Sequence, residues 1–173
     1  MIRGEEVELR PMTLDEVPAF YESAIKCSFW YGEHSDEPIP TYEKFREDFR
    51  DYLFDGSNPS QGRAYSILAG NQAVGEINYE IHDGKEAEID ILIFEEANRG
   101  KGLGPDALAA LSDWLFLTLG ARVCFIEHVS LNQRAIRASE KAGFERQKEY
   151  FEGDYKYVRL EKANPKRAAA API

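Results

Sequence analysis

The seven residues Arg99-Gly100-Lys101-Gly102-Leu103-Gly104-Pro105 lie between a strand-like segment and a helix-like one. Three glycines at alternate positions let the backbone turn its N–H groups inward, and they let a ligand approach without interference from Cβ atoms. The helix that follows adds free N–H donors and a positive dipole end, and Pro105 suits its first turn. Because Arg99 and Lys101 add positive charge, the stretch predicts a cradle for a pyrophosphate.

The segments before this turn alternate between apolar and polar residues, which is the period of a strand. Three strands are predicted, at Tyr65–Ala69, Ala73–Ile81 and Glu86–Phe94. They are separated by Gly70-Asn71 and Asp83-Gly84, dipeptides that favour the left-handed backbone of tight hairpins. We therefore expect an antiparallel meander that feeds the glycine turn.

The segments after the turn return to helical spacing and then alternate between strand and helix. We predict a helix over 105–119, a strand over 122–128, a helix over 132–142 and a hairpin of strands 144–151 and 155–161. One parallel crossover joins the strand Glu86–Phe94 to the strand 122–128. The expected fold is α/β (α+β), with a mixed, mostly antiparallel central sheet and helices on both faces.

The first third of the chain predicts a short strand over Glu6–Arg10 and two helices. Thr13 and Glu16 form a capping-box pattern at the start of the first helix. Thr41 caps a second helix, in which Phe45, Phe49 and Leu53 recur every four residues and share one face. Between the helices, residues 27–40 form a loop rich in aromatic and acidic residues.

Composition limits the class of protein. The 173 residues are 43% apolar and 30% charged, as expected for one globular domain. Lys and Arg number 21 and Asp and Glu 31, so the net charge is −10. This charge repels nucleic acids and anionic lipid and favours cationic partners. We expect one domain over residues 1–162 and a loose tail over 163–173.

Targeting and metal signals are weak. No apolar run approaches the ~18 residues that a membrane helix requires, and the charged start is no signal peptide, so a cytoplasmic protein is expected. Cys27 and Cys124 lie far apart in apolar surroundings, which suits reduced, buried thiols. Because the three histidines lack ligand spacing with these cysteines, no metal site is expected.

Two other phosphate-binding loops deserve comparison with the glycine turn. A Walker loop needs Gly-x4-Gly-Lys-Ser/Thr, which this chain lacks. The run Gly102-x-Gly104-x-x-Ala107 satisfies the loose dinucleotide fingerprint, with Glu127 at a suitable distance. That fold requires successive parallel strands, whereas antiparallel hairpins precede this turn. The dinucleotide interpretation is therefore disfavoured but stays open.

Two segments resemble the GCN5-related N-acetyltransferase (GNAT) superfamily. Arg99-Gly-Lys-Gly102-Leu-Gly104 matches its acetyl-CoA signature [Arg/Gln]-x-x-Gly-x-[Gly/Ala]. The stretch from Asn132 to Gly143-Phe144 is similar to its second segment, Asn-x-x-(Ala)-x-x-x-(Tyr)-x-(Lys)-x-Gly-Phe. The resemblance implies acetyl-CoA as cosubstrate and N-acetyl transfer as the activity.

A closer likeness is to the aminoglycoside 6′-N-acetyltransferases. It is carried by Phe29-Trp30-Tyr31-Gly32-Glu33, by Glu88-Ile89-Asp90-Ile91-Leu92, and by the Gly100–Gly104 and Arg134–Arg146 stretches. Ribosomal-type amino-terminal acetyltransferases share much of this pattern. The resemblance associates the chain with antibiotic resistance, a role that the sequence itself does not test.

Asp90 is the candidate base. Acetyl transfer to an ammonium requires removal of a proton, and Asp90 is an acid inside the apolar run Ile89–Ile93 on the strand that feeds the turn. The resemblance also gives this position a carboxylate. Asp90 could equally anchor a cationic acceptor, or be a solvent-facing strand acid like Glu88. The resemblance places an oxyanion-stabilising backbone N–H near Ile91 or Leu92, and Leu92 is taken as catalytic.

The resemblance also assigns the remaining cofactor contacts. Asn132 starts a helix and contacts the cofactor, although an asparagine there is also an ordinary N-cap. Position 139 departs from the family, because many members have a tyrosine that protonates the leaving thiolate, whereas this chain has Ser139. Tyr150 or another tyrosine could replace it. The expected cofactor-binding residues are Ile91, Leu92, Ile93, Arg99, Gly100, Lys101, Gly102, Leu103, Gly104, Asn132, Ala135 and Lys141.

For the acceptor, loop 27–40 offers flat aromatic surfaces and carboxylates, a combination suited to a polycationic sugar or amine. The expected acceptor-binding residues are Trp30, Tyr31, Glu33, Asp36, Asp90 and Glu127. The favoured hypothesis is acetyl transfer to an aminoglycoside-like small molecule by direct attack in a ternary complex. The alternatives are a protein amino terminus or a polyamine as acceptor, and a non-catalytic CoA-binding module. The protein is expected to be a monomer or homodimer, with no nucleic-acid or membrane partner.

Overall fold

The computed structural model describes residues 1–168, which form one sheet flanked by helices. The strands are β1 (Ile2–Arg3), β2 (Glu8–Pro11), β3 (Gly62–Ala69), β4 (Gln72–His82), β5 (Glu86–Ile93), β6 (Val123–Val129), β7 (Glu145–Glu152) and β8 (Tyr155–Ala163). The helices are α1 (Val17–Ala24), α2 (Tyr42–Asp48), α3 (Tyr52–Asp55), α4 (Leu103–Trp114), α5 (Gln133–Lys141) and α6 (Pro165–Ala168).

The sheet has the order β1-β2-β3-β4-β5-β6-β8-β7. Within the described residues its neighbours are antiparallel except β5 and β6, which run parallel and are joined through α4. The expected meander and the single parallel crossover are both confirmed. The β5–β6 pairing covers only Glu86–Glu88 against Val123–Phe125. The two strands then separate, which leaves one edge of β5 open from Ile89 to Ile93.

Two hydrophobic cores lie on opposite faces of the sheet. One core packs α4 and α5 against odd-numbered β5 residues such as Ile89, and the other packs α1, α2 and α3 against Leu92. Because strand side chains alternate between faces, β5 contributes to both cores. The expectation of helices on both faces is therefore confirmed.

The segment after residue 40 differs from the predicted single helix. Helix α2 ends at Asp48, and Phe49 has extended backbone angles (φ −94°, ψ 106°) before α3 begins. The break lets Phe49 pack edge-on against Phe20, with ring centroids 5.3 Å apart, while Phe45 and Leu53 stay in the same core. Tertiary packing here overrides the helical spacing of the sequence.

The glycine turn leads into α4 two residues earlier than predicted, at Leu103. After Trp114 the helix widens into a π-helical turn over Leu115–Leu119, and Gly120 ends it with a positive φ of 65°.

The two ends of the chain are tied to the domain. The Asp106 carboxylate on α4 accepts the N–H groups of Glu5, Glu6 and Val7 at 2.9, 2.7 and 2.9 Å. At the other end, Ala163 pairs with Val123, and Asn164 is buried with its Nδ2 donating to Ala121 O at 2.9 Å. The predicted boundary at residue 162 is therefore too early. Pro165–Ala168 form the short helix α6, and the last five residues of the predicted tail, 169–173, lie outside the described residues.

Membrane insertion by a helix has no support in the described part of the chain. None of the helices in residues 1–168 combines the length and the apolar character that a bilayer crossing requires.

Candidate active site

A groove of about 710 Å³ follows the open edge of β5. The end of β5, the glycine turn, the start of α4, and α5 form its walls, and β6 contributes His128. Of the residues expected to bind a cofactor, ten line the groove: Ile91, Leu92, Ile93, Arg99, Gly100, Gly102, Gly104, Asn132, Ala135 and Lys141. Lys101 and Leu103 do not line it, because Lys101 is exposed and Leu103 packs against the core.

The β5 backbone offers its polar groups to this groove in a fixed alternation. The Phe94 N–H donates to Val74 O at 2.9 Å, across the antiparallel β4–β5 ladder. Successive backbone groups of a strand point to opposite sides. The Leu92 N–H therefore points to β4, whereas those of Ile91 and Ile93 point to the groove. This orientation is at odds with the expectation that the Leu92 N–H donates to a ligand. Of the two expected donors, Ile91 and Leu92, only Ile91 points its N–H to the groove.

The glycine turn is open at the two positions that need left-handed backbone. Gly100 has a φ of 74° and Gly102 a φ of 85°, and a Cβ at either would meet no atom within 4 Å. The space around them is thus free for a ligand, and the free N–H groups at the start of α4 lie next to it. These features give the turn the geometry that an anion cradle requires.

Arg99 holds this turn in place rather than presenting an unpaired charge. Its Nε and Nη2 donate to Ile93 O at 3.2 and 3.0 Å, and its Nη1 pairs with Glu96 at 2.8 Å. Ile93 O points to the open edge of β5 and has no β6 partner there. The arginine at the start of the glycine motif therefore satisfies the carbonyl where the strand ends.

A basic rim, formed by Arg134, Arg137 and Lys141 of α5, lines the same groove. These residues recur at helical spacing and so share one face of the helix. Arg134 pairs with Glu96 at 2.6 Å, whereas Arg137 and Lys141 have no ion-pair partner within residues 1–168. The sequence reasoning missed both arginines, although their spacing from Lys141 is the signal that could have identified them. Asn132 caps α5, its Oδ1 accepting from Ala135 N at 3.2 Å.

The other face of β5 carries Asp90, directly opposite Asn78 of β4. Solvent reaches the Asp90 side chain, and within residues 1–168 no protein group donates a hydrogen bond to its carboxylate. Protein nevertheless surrounds it closely. Desolvation first, then repulsion from Glu88, Glu80 and Glu127, raises the pKa of Asp90 from its usual 3.8 to about 7.

We call Glu80, Glu88, Asp90 and Glu127 the acidic face. Two of its carboxylates bond to phenols: Tyr52 donates to Glu80 at 2.9 Å, and Tyr150 donates to Glu127 at 2.7 Å. Because phenols are neutral at ordinary pH, these bonds do not cancel the charge of Glu80 and Glu127. Glu88 instead lies 2.7 Å from His82 Nε2. Arg159 faces it from β8, but its closest contacts are Glu161 at 2.7 Å and Glu86 at 3.3 Å, and Glu127 is 3.9 Å away.

Glu76 lies on β4, two residues before Asn78, and is completely buried. Its Oε1 accepts from Asn78 Nδ2 at 3.0 Å, and its Oε2 has no partner within residues 1–168. Burial raises the pKa of Glu76 well above its usual value, which favours its neutral form. Its bond to Asn78 fixes the amide opposite Asp90.

Loop 27–40 contributes to both sides of the site. Cys27, Phe29 and Trp30 line the groove, and Trp30 packs edge-on against Phe20 at 6.0 Å. Trp30 thus lies on the cofactor side rather than purely on the acceptor side. Tyr31 is half-buried; desolvation, then Asp48, Glu37 and Asp90, raises its pKa to about 12.

The tip of this loop is docked onto the β7–β8 hairpin. Asp154 N–H donates to the Asp36 carboxylate at 2.9 Å, and the Tyr155 hydroxyl donates to Glu33 O at 2.8 Å. Asp36 therefore anchors the loop with one of its oxygens. The exposed Glu33 side chain, by contrast, is accessible to an acceptor.

At position 139 this chain has a serine where many family members have a tyrosine that protonates the leaving thiolate, and Tyr150 is the expected substitute. Ser139 is fully buried, and its Oγ lies 2.8 Å from His128 Nε2, with both residues lining the groove. Tyr150 does not line the groove, and desolvation followed by its bond to Glu127 raises its pKa above the usual value. A phenol so placed is a weaker acid, which argues against Tyr150 as a substitute. The sequence reasoning gave no role to His128.

Metal chemistry finds no donor set in the described part of the chain. Within residues 1–168 no three His, Cys, Asp or Glu side chains converge to hold an ion. Cys124 is buried, and desolvation raises its pKa to about 12.

Comparison with known proteins identifies the relatives of this chain. The family model described as acetyltransferase (GNAT) domain matches residues 6–145. The chain is 30% identical over 156 residues to aminoglycoside N(6′)-acetyltransferase type 1 of Klebsiella pneumoniae, covering 83% of this chain and 76% of that protein. It is 26% identical over 155 residues to human alpha/beta-tubulin-N-acetyltransferase 9, covering 84% and 75%.

Solved structures share the fold. The structure of AAC(6′)-Ib in complex with ribostamycin and coenzyme A superposes with a TM-score of 0.75 at 24% identity, covering 97% of this chain and 99% of that one. Spermidine N-acetyltransferase from Vibrio cholerae, in complex with CoA and spermine, gives 0.73 at 16% identity, covering 94% and 98%. Both likenesses confirm the expected architecture.

Proposed function

Since this chain belongs to the GNAT acetyltransferase family, we propose that it transfers the acetyl group of acetyl-CoA to a primary amine of an aminoglycoside-like polycation. One observation carries the proposal. Asp90, whose pKa is about 7, projects from the same short stretch of β5 whose backbone faces the groove at Ile91 and Ile93. A proton acceptor and a binding edge for a thioester thus lie on one strand.

The groove fits the cosubstrate. The open glycines Gly100 and Gly102, with the start of α4, would hold the diphosphate, and the basic rim adds positive charge. The Ile91 C=O and the Ile93 N–H, which both point to the groove, would pair with the amides of the pantetheine arm. Acetyl-CoA supplies an activated acetyl thioester when bound there. Every other part of the reaction rests on this chain's own residues.

Asp90 acts on the acceptor. It first pairs with the incoming ammonium and then accepts its proton, which leaves a neutral amine to attack directly in a ternary complex. A base with a pKa near 7 is about half deprotonated at neutral pH, so it is available without being too weak to take the proton. The Ile91 N–H, which points to the groove, donates to the carbonyl oxygen as negative charge develops there.

The acidic face selects the acceptor. Four carboxylates spread over β4, β5 and β6 favour a molecule with several separated ammonium groups over one with a single amine. Phe29, Trp30 and Tyr31 add aromatic surface, which suits the apolar face of a sugar ring. The curated relatives named aminoglycoside N(6′)-acetyltransferase support this substrate class.

The test is an acceptor panel read out by the release of the CoA thiol. Purified protein is incubated with acetyl-CoA and with an aminoglycoside set, spermidine, or a peptide with a free amino terminus. We expect turnover with aminoglycosides at a kcat/KM at least tenfold above that of the other two classes. Turnover confined to spermidine or to the peptide would move the acceptor to that class. Binding of acetyl-CoA without turnover of any amine would overturn the enzymatic proposal in favour of a CoA-binding module.

A further inference from the structure

His128 lies at the end of β6, where that strand has separated from β5. Residues Glu86, Ala87 and Glu88 pair with Val123, Cys124 and Phe125 at a constant offset. Continuing that parallel register places His128 across the opened gap from Ile91. A group that bonds to the Ile91 N–H therefore lies between β5 and this imidazole.

The two ring nitrogens of His128 have different surroundings. Nε2 is 2.8 Å from Ser139 Oγ, whereas Nδ1 has no protein partner within residues 1–168. Nδ1 is not completely buried, and His128 lines the groove. Ser139 is fully buried and His128 is half-buried, so the histidine is the more accessible member of the pair.

The direction of the Ser139–His128 hydrogen bond is coupled to the tautomer of the ring. When this hydroxyl donates to Nε2, the neutral imidazole must carry its hydrogen on Nδ1. Desolvation lowers the pKa of His128 to about 4, so the ring is neutral at physiological pH. In that tautomer the imidazole carries one N–H donor, and His128 lines the groove opposite the strand edge that would hold a thioester.

We propose that His128, oriented by Ser139, donates a hydrogen bond from its Nδ1–H to the sulfur of coenzyme A as the thioester breaks. This inference rests on the proposed function. The new C–N bond forms, the C–S bond breaks and its electron pair moves to sulfur. His128 stabilises the thiolate by a hydrogen bond and keeps its proton, because a neutral imidazole is a poor acid. The thiolate takes its proton from water, and the proton of the amine goes to Asp90.

This arrangement replaces a tyrosine with a histidine from another element. A thiol has a pKa of ~8.5, so its anion needs only modest help to leave, and one hydrogen bond supplies it. Ser139 is then a positioning residue that acts through His128, and His128 is the residue that touches the ligand.

The first test uses the binary complex with coenzyme A, so it needs no acceptor. The ultraviolet absorbance of the thiolate is titrated with pH for wild type, His128→Phe, Ser139→Thr and Ser139→Val. We expect His128→Phe to raise the pKa of the bound thiol by about one unit, equivalent to tenfold less thiolate at a fixed pH. Ser139→Val should do so in part, while Ser139→Thr, which has the same shape as valine but keeps the hydroxyl, should match wild type.

Controls separate this role from a structural one. His82→Phe makes the same replacement on the opposite face of the sheet and should leave the bound thiol unchanged. The affinity for coenzyme A, measured by calorimetry, should stay within about threefold for all variants. An identical thiol pKa in wild type, His128→Phe and Ser139→Val would overturn the proposal. If His128→Phe does not fold, the threonine and valine pair decides alone.

The second test uses turnover with the best acceptor of the panel. We expect His128→Phe to lower kcat about tenfold with little change in the KM for acetyl-CoA. Unchanged kcat in His128→Phe would overturn the inference and leave the proposed function intact. If the wild-type protein turns over no amine, but the thiol pKa still differs between wild type and His128→Phe, the proposed function is overturned. The contact between His128 and sulfur is then supported.

Discussion

The acidic face and the basic rim lie on opposite sides of β5 and differ in how their charges are satisfied. On the acidic face, Glu80 and Glu127 bond to neutral phenols, and Asp90 has no hydrogen-bond donor in the described chain. On the basic rim, only Arg134 has an ion-pair partner among the described residues, namely Glu96. Glu88 also contacts His82, and Glu127 lies 3.9 Å from Arg159, so the acidic face is more fully partnered than the basic rim.

This difference shows that acidic and basic side chains are segregated on opposite sides of β5, whatever the net charge of the chain. The net charge of −10 would repel a phosphorylated cosubstrate if it were spread evenly. Side chains on one face of β5 instead attract a cation, while the backbone edge, the glycine turn and α5 attract an anion. A single strand can thus serve two substrates of opposite charge.

The largest expected effect removes the centre of the acidic face. Asp90→Asn keeps the shape and loses the base, so we expect kcat/KM for the acceptor to fall by about 10²- to 10⁴-fold. Calorimetry should find acetyl-CoA binding unchanged, because the basic rim is intact. The matched control is Asp83→Asn, in the exposed turn before β5, which should retain full activity. A fully active Asp90→Asn variant would exclude Asp90 as the base.

The next largest effect is expected from a backbone change in the glycine turn, on the side that would bind the anionic cosubstrate. Gly102→Ala introduces a Cβ at a φ of 85°, where it also occupies ligand space. We expect the KM for acetyl-CoA to rise about tenfold and the acceptor KM to stay unchanged. Gly70 has a φ of 60° and equally open surroundings in the β3–β4 turn, so Gly70→Ala is the matched control. Equal kinetics in both alanine variants would refute the cradle.

A third experiment follows the pKa of Asp90. The rate should rise with pH through about 7, as the carboxyl loses its proton. Glu127→Gln removes a negative neighbour, which favours the ionised form of Asp90 and moves the profile to lower pH. The variant should also raise the KM for the acceptor severalfold. A pH profile of kcat/KM for both proteins measures this, and a shift to higher pH would contradict the assignment.

Ionic strength should have a smaller effect, on the binding of acceptors to the acidic face. Raising salt from about 0.1 to 1 M shortens the screening length from ~10 to ~3 Å. We expect a severalfold increase in KM for an acceptor with four or more ammonium groups and a smaller increase for a monoamine. Equal salt dependence for both acceptors would mean that the acidic face does not read multiple charges.

The smallest effect concerns stability. The pKa of Asp90 is higher in the folded protein than in the unfolded chain, so ionisation destabilises the fold as pH rises from about 4 to 7. Asp90→Asn removes this penalty. Because solvent screens the side chain, the gain in unfolding free energy above pH 7 should be on the order of 1 kcal/mol. Thermal unfolding at pH 4 and pH 8 should show the gain at the higher pH alone.

Local patterns in the sequence predict much of this molecule. The glycine turn, the meander and the crossover depend on neighbouring residues, and the structure confirms each. Asp90 could be singled out because a lone acid in an apolar strand is conspicuous. The Asn132 cap is likewise a local feature.

Other features depend on contacts between distant segments, which local patterns do not reveal. The separation of β5 from β6 leaves the backbone N–H groups of Ile91 and Ile93 free to face the groove, whereas the N–H of Leu92 points to β4. The break at Phe49 results from packing against Phe20. The His128–Ser139 pair joins a strand to a helix, and the role of Arg99 depends on a carbonyl that only the open edge leaves free.

The docking of loop 27–40 onto the β7–β8 hairpin has a consequence for protein engineering. The Asp36 carboxylate accepts from the Asp154 backbone N–H, and the Tyr155 hydroxyl donates to the Glu33 backbone O, so two segments more than a hundred residues apart are held together. A grafted loop without an acid at position 36, or a grafted hairpin without a tyrosine at position 155, would lose one of these bonds. Libraries intended to retarget the enzyme should therefore exchange the loop and the hairpin together, as one cassette.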